Sequence, residues 1–143
     1  MKNKIVYVPL AVDILHSGHL NIINRAKKYG KVVIGLLSDN AVAEYKNIPS
    51  LEYEERYKIV KNLKNIHKII KQDTWDYSKV LNSLKPDYFV HGDDWKKGIQ
   101  KKTRQKVIRL LKKNKGKLIE IPYTKNISSS SIKSDLINHL TPT

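Results

Sequence analysis

Residues 4–37, "KIVYVPLAVDILHSGHLNIINRAKKYGKVVIGLL", decide the fold. They hold two apolar runs of strand length, "KIVYVPL" and the β-branched "KVVIGLL". Between them Leu20, Ile23 and Ala26 recur at helical spacing, and Gly30 supplies a C′ residue to stop the helix. Strand, helix, strand within 34 residues is a βαβ unit, which demands a parallel pair and a right-handed crossover.

The alternation continues downstream. "SDNAVAEYK" reads as a short helix, and "SLEYEERYKIVKNLKNI" as an amphipathic one with Ser50 as its N-cap. "HKIIKQ" is a third strand. "DYSKVLNSLK" is a helix opened by Asp76 and ended before Pro86. "PDYFVHG" is a fourth strand, a basic helix ends at Gly116, "KLIEIPY" is a fifth strand, and "SSSSIKSDLINHL" is a final helix. The expectation is an α/β, Rossmann-like, doubly wound sheet of five parallel strands, with residues 1–143 as a single domain.

Composition agrees. A hydrophobic content of 40% spread along 143 residues suits a globular domain, and no apolar stretch approaches a membrane span. The N-terminus is basic then apolar but carries no small-residue cleavage site, so it reads as a strand and not a secretory signal. The chain has no cysteine, hence no disulfide frame and no thiolate chemistry, which is compatible with a cytoplasmic enzyme. The net charge of +15 points to an anionic partner, although Lys outnumbers Arg 24 to 4, the bias that AT-rich codon usage gives. Residues 96–117 hold eleven Lys or Arg and no acid. Val107, Ile108, Leu110 and Leu111 give the 101–115 helix an apolar face, so its charges read as a solvated outer face. No aromatics interleave with them, so nucleic acid is the secondary reading.

Ligands of open α/β sheets bind beyond the carboxyl ends of the strands. In this chain those ends gather His, Asp, Lys, Trp and Ser. His16 and His19 straddle the start of the first helix, three apart and on one face, with Gly18 leaving the backbone open to a ligand. A helix N-terminus attracts anions, and two imidazoles there can donate to phosphate oxygens. Two other readings stand beside this one. The pair could bind zinc, with Asp13, His91 or Asp93 as a third ligand. His16 could simply cap the turn. The phosphate reading also explains the glycine and the strand-to-helix position.

"HSGH" resembles the His-x-Gly-His motif of the nucleotidyltransferase superfamily that includes the cytidylyltransferases. "ISSSSIK" resembles its second motif, and "HGDDW" is similar to a stretch of the glycerol-3-phosphate cytidylyltransferases. Over residues 5–136 the longer stretches look most like the phosphonate cytidylyltransferases, which often occur fused to phosphoenolpyruvate mutase. No mutase domain is present, so the expectation is a stand-alone form.

The resemblance implies transfer of CMP from CTP to a phosphonate such as 2-aminoethylphosphonate, with Mg²⁺ as cofactor and a homodimer as the assembly. It implies catalytic roles at the phosphates for His16, His19, Lys46 and Arg56. It sets Leu10, Ala11, Gly18, Gly92, Asp94, Ile127, Ser128, Ser129 and Ser130 against the nucleotide. Asp13, Trp75, Asp76 and Tyr123 fall to the acceptor, Asp76 as a partner for its amino group. Asp93, and Asp13 again, are the carboxylates considered for Mg²⁺. Two departures stand out: "PLAV" replaces the Gly-Thr-Phe of many relatives, and Tyr123 and Asn126 replace an arginine and a glycine. The tyrosine favours the phosphonate relatives over the glycerol-phosphate ones. A phosphate-acceptor cytidylyltransferase is the nearest rival, and a non-catalytic nucleic-acid-binding protein is the rival of another class.

Overall fold

The computed structural model describes residues 3–44, 49–96, 98–122 and 127–140. Alternation along β1 (Ile5–Leu10) sends Val6, Val8 and Leu10 to one face of a sheet and Tyr7 to the other. The sheet has the order β3-β2-β1-β4-β5, with β2 at Lys31–Leu37, β3 at Ile66–Gln72, β4 at Tyr88–Gly92 and β5 at Lys117–Ile121. Every pairing is parallel. Both faces are covered, as a parallel sheet requires. Ile23 and Ala26 of α1 (Ser17–Ala26) and Val60 of α3 (Tyr53–Lys61) pack on Val6, Val8, Val32 and Ile34. Val80 and Leu81 of α4 (Ser78–Leu84) and Val107 and Leu111 of α5 (Lys101–Lys113) pack on Tyr7, Val33 and Phe89. This is the expected α/β, doubly wound, Rossmann-like sheet of five parallel strands.

The ladders are unequal, and this shapes the site. β1 and β2 stay in register over six residue pairs, but β1 and β4 pair only at Val6 with Tyr88 and Tyr7 with Phe89. Beyond Tyr7 the two strands part, opening a crevice at the point where the strand order reverses. Pro9 has no N–H to give to a ladder, and it lies in this parted stretch.

Local details depart from expectation. The helix predicted over 50–66 is shorter, because Asn65 turns left-handed at φ 60° and the chain enters β3 at Ile66. Ser50 does not cap it: Glu52 stands at the N-cap without a side-chain bond, and the Ser50 N–H is donated to Asp13 instead. α5 ends through Lys115, left-handed at φ 61°, and not through Gly116 itself. Ile108 is exposed, so the buried stripe of α5 is Val107 and Leu111. Lys101, Lys102, Lys106 and Lys112 of that helix are exposed, the solvated outer face expected. Among the described residues no helix is long and apolar enough to cross a membrane.

Candidate active site

The crevice between β1 and β4 holds a cavity of about 420 Å³, within the range of small-molecule sites. Its rim is made by the loops after β1 and β4 and by two helix N-termini, those of α1 and of α6 (Ser129–Leu140).

His16 is the N-cap of α1, in the extended conformation a cap requires. Its Nδ1 accepts the Gly18 N–H at 3.0 Å, and the His19 Nδ1 accepts the His16 N–H at 3.2 Å. This is a capping box built from imidazoles, where Ser and Glu commonly serve. It has a chemical consequence. A nitrogen that accepts cannot carry the proton, so each neutral ring is the Nε2–H tautomer. The rings lie 4.0 Å apart between centroids, and both line the cavity. Capping and donor capacity are therefore one arrangement: the cap fixes the tautomer that makes each histidine an Nε2–H donor. Zinc finds no support, since no group of three or more His, Asp or Glu side chains suited to a metal occurs among the described residues.

The second helix terminus is positioned by the serine run. Ser128 Oγ accepts the Ser131 N–H at 3.0 Å, the bond of an N-cap, and Ser129 Oγ donates to the Ile14 carbonyl at 3.1 Å. Ile127, Ser128, Ser129 and Ser130 all line the cavity, facing the residues of α1. Two positive helix ends thus converge on one space, which suits a polyanion. Leu10, Ala11, Gly18, Gly92, Asp94 and Trp75 also line it.

Other expected residues are elsewhere. Arg56 is fully buried and does not reach the cavity surface. Its Nε donates to Leu51 O at 2.9 Å, its Nη1 to Ala11 O and Leu37 O at 2.7 Å each, and its Nη2 to the Asp39 carboxylate at 2.7 Å. Four bonds hold the guanidinium against the ends of β1 and β2, one of them to Ala11, which lines the cavity, while Arg56 itself does not. Asp13 is buried too, and it does not line the cavity. Its oxygens accept the Ser50 and Leu51 N–H groups at 3.0 Å, and Lys133 of α6 donates to it as well. Burial pushes the Asp13 carboxyl up, but Lys133 and the two N–H groups outweigh this and hold it below the usual range. With its oxygens so occupied it is a tie between three segments, neither an acceptor ligand nor a metal ligand.

Asp76 lines a separate cavity beside α5. Its carboxylate accepts from the Ser78 hydroxyl at 2.5 Å, pairs with Lys106 at 2.9 Å and accepts the Ser78 N–H at 2.9 Å, which in that order lower its pKa to about 2. The Asp76 carboxylate thus forms a turn just ahead of the Tyr77 N-cap of α4 and a surface ion pair, away from the main cavity. Asp93 is absent from the cavity lining, where Asp94 is the carboxylate. Lys46, Tyr123 and Asn126 lie outside the described residues.

The cavity also contains Tyr77 and Gln100, which sequence reasoning passed over, and His91, which it weighed only as a zinc ligand. His91 follows directly from the rule that ligands sit beyond strand ends, since it is the penultimate residue of β4. Its ring stacks 3.7 Å from that of Trp95 and 4° from parallel. Trp95 is fully buried, its Nε1 donating to Glu120 at 2.9 Å, and Glu120 is clamped in turn by Arg104 at 2.8 and 3.0 Å. The Arg104 guanidinium, then burial against it and the Trp95 N–H, leave Glu120 below the usual carboxylate range. Burial pushes His91 down, so it is neutral near pH 7. Gln100 sits in a turn with no periodic signal to mark it.

A crevice at the switch point of a parallel sheet, with paired Nε2–H histidines at a helix start, has the place and polarity of the ligand sites of open α/β domains. A family model described as Cytidylyltransferase-like matches residues 12–135, so the chain belongs to the cytidylyltransferase-like family, and with it to the nucleotidyltransferases. The glycerol-3-phosphate cytidylyltransferase of Bacillus spizizenii is 29% identical over 139 residues, covering 95% of this chain and 98% of that protein. An ethanolamine-phosphate cytidylyltransferase of Dictyostelium discoideum is 30% identical over 129 residues, 89% of this chain but 35% of that longer protein. Among solved structures, a lipopolysaccharide core biosynthesis protein from Thermoplasma volcanium superposes with a TM-score of 0.69 at 22% identity, covering 87% of this chain and 98% of that one. That last likeness concerns the fold alone.

Proposed function

We propose that this protein transfers CMP from CTP to a small acceptor bearing a phosphonate or phosphate, releasing pyrophosphate, with 2-aminoethylphosphonate the leading acceptor. The observation that carries this reading is the capping box of His16 and His19, which fixes two N–H donors on a cavity closed from the other side by the start of α6. An ionised acceptor oxygen attacks the α-phosphorus of CTP. The bond from that phosphorus to the bridging oxygen breaks, and pyrophosphate leaves with the electron pair. The nucleophile is already ionised, so no strong general base is needed. The barrier is the meeting of two anions, which donors and positive helix ends lower by positioning and by charge. Lys46, from the resemblance, adds a cation.

Mg²⁺ bound through triphosphate oxygens would supply further neutralisation. Among the described residues no side-chain cluster would cage the ion, which fits one carried by the nucleotide, with Asp94 the carboxylate on the cavity lining. The phosphonate acceptor rests on the sequence resemblance, as do the homodimer and the cytoplasmic setting. A phosphate monoester acceptor is the second reading, favoured by the two cytidylyltransferase relatives.

The test is pyrophosphate release with CTP, Mg²⁺ and a panel of 2-aminoethylphosphonate, 2-hydroxyethylphosphonate, glycerol-3-phosphate, ethanolamine phosphate and phosphocholine. Turnover with one phosphonate, abolished in His19→Ala, supports the leading reading. Turnover with phosphate esters alone replaces it by the second. Silence throughout, from protein that binds no CTP, overturns both.

A further inference from the structure

The phosphate end of the cavity presents donors: the two Nε2–H rings and the helix termini. Two other lining residues, His91 and Gln100, have the opposite polarity. The His91 Nδ1 lies 2.9 Å from the Gly92 carbonyl oxygen, which can only accept. Nδ1 therefore carries the proton, and Nε2 holds a lone pair on a ring that lines the cavity. This is the reverse of the tautomer at His16 and His19. Gln100 lines the same cavity, and its Oε1 is buried with no hydrogen-bond partner in the protein, the only such side-chain atom among the described residues. Buried acceptors are nearly always paired, and one left open on a cavity wall is a group awaiting a ligand's donor. The stacked Trp95 and Phe89 rings behind His91 keep its plane fixed.

We propose that Gln100 Oε1 and His91 Nε2 form an acceptor pair that reads an N–H-bearing group of the bound ligand, and that this group is the exocyclic amine of the nucleobase. The inference rests on the nucleotidyl-transfer reading above. An amine at that ring position distinguishes cytosine from uracil, which presents an oxygen there and would face two acceptors. A site built to receive a donor rejects the analogue lacking it, because its own groups are then left unpaired. The ammonium of an acceptor molecule has the same donor chemistry, and the experiment separates the two sources.

Equilibrium binding of CTP and UTP is measured on the full chain as wild type, Gln100→Met and Gln100→Glu. Methionine keeps the shape and deletes the acceptor. The Gln100 side chain caps nothing at the start of α5, so the fold should survive, and thermal unfolding checks this. The expected result is a wild-type preference for CTP of tenfold or more. Gln100→Met should lose about tenfold in CTP affinity with UTP changed less than twofold, and Gln100→Glu should keep the preference. A second arm compares KM for 2-aminoethylphosphonate and glycerol-3-phosphate. An effect of Gln100→Met confined to the amino acceptor would overturn the assignment to the base and give the pair to the acceptor. Wild-type binding of CTP with Gln100→Met unaltered in every arm would overturn the proposal alone. Failure of wild type to bind either nucleotide would overturn the underlying function with it.

Discussion

Replacing Arg56 by Met should cost stability before it costs chemistry. The guanidinium is fully buried and donates to three main-chain carbonyls, Ala11, Leu37 and Leu51, and to Asp39. Methionine fills part of the volume but supplies no donor. Each buried carbonyl left unpaired costs about 1–3 kcal/mol. The Asp39 side chain is 47% exposed and can rehydrate, so little is assigned to the ion pair. Allowing water to reach some of the carbonyls, the loss is about 3–5 kcal/mol, a large part of the 5–15 kcal/mol that holds a domain together. At this chain length that is a fall in Tm of about 10–15 °C. Urea and thermal unfolding followed by far-UV circular dichroism measure it. Turnover per folded molecule, assayed well below the new Tm, should fall less than tenfold. If Arg56→Met instead unfolds within 2 °C of wild type and has no turnover, the residue touches the phosphates and the buried network is misassigned.

Two further outcomes follow from the same contacts. Asp13→Asn should loosen α6, because Lys133 and the N–H groups of Ser50 and Leu51 lose a charged acceptor; acid should do the same. The Asp13 pKa is lowered on folding, so its stabilisation is complete above the ordinary carboxylate range near pH 4 and is lost as pH falls through the folded value. Proteolysis within 129–140 as a function of pH reads this out, and a profile identical in Asp13→Asn and wild type would refute it. Gly35→Ala should lower the urea midpoint, because an added Cβ overlaps the Tyr7 ring and hydroxyl in the core. Overpacking of this kind costs about 1–3 kcal/mol. An unchanged midpoint would show that Tyr7 is not fixed against β2.

The sheet was legible because its signals are local. β-branched runs and a period of 3.6 mark β2 and α1 within their own residues, and parallel order follows from alternation alone. The placing of His16 and His19 at the start of α1 was legible for the same reason: a cap and its helix are neighbours in sequence. Arg56 and Asp13 were not, because their roles are fixed by partners far along the chain. Ala11 is 45 residues from Arg56, and Lys133 is 120 from Asp13. A resemblance transfers a residue's identity but not its burial, and in this structure Arg56 is a buried brace between strand ends. Gln100 was hidden for a different reason, since its mark is a bond not made, and no pattern of residue types records that.

The parting of β1 from β4 also bears on how the molecule breathes. Three strands on one side share long ladders, β4 and β5 share five pairs, and two pairs alone join the halves across the sheet. The seam is where amide hydrogens should exchange most readily for a core of this burial. If the proposed nucleotide seats in the crevice it bonds to both sides of the seam, and protection of the Val8 and Val90 amides should then rise with ligand concentration as mass action requires. A seam that is weak when empty and cross-linked when filled makes occupancy itself a part of the molecule's cohesion.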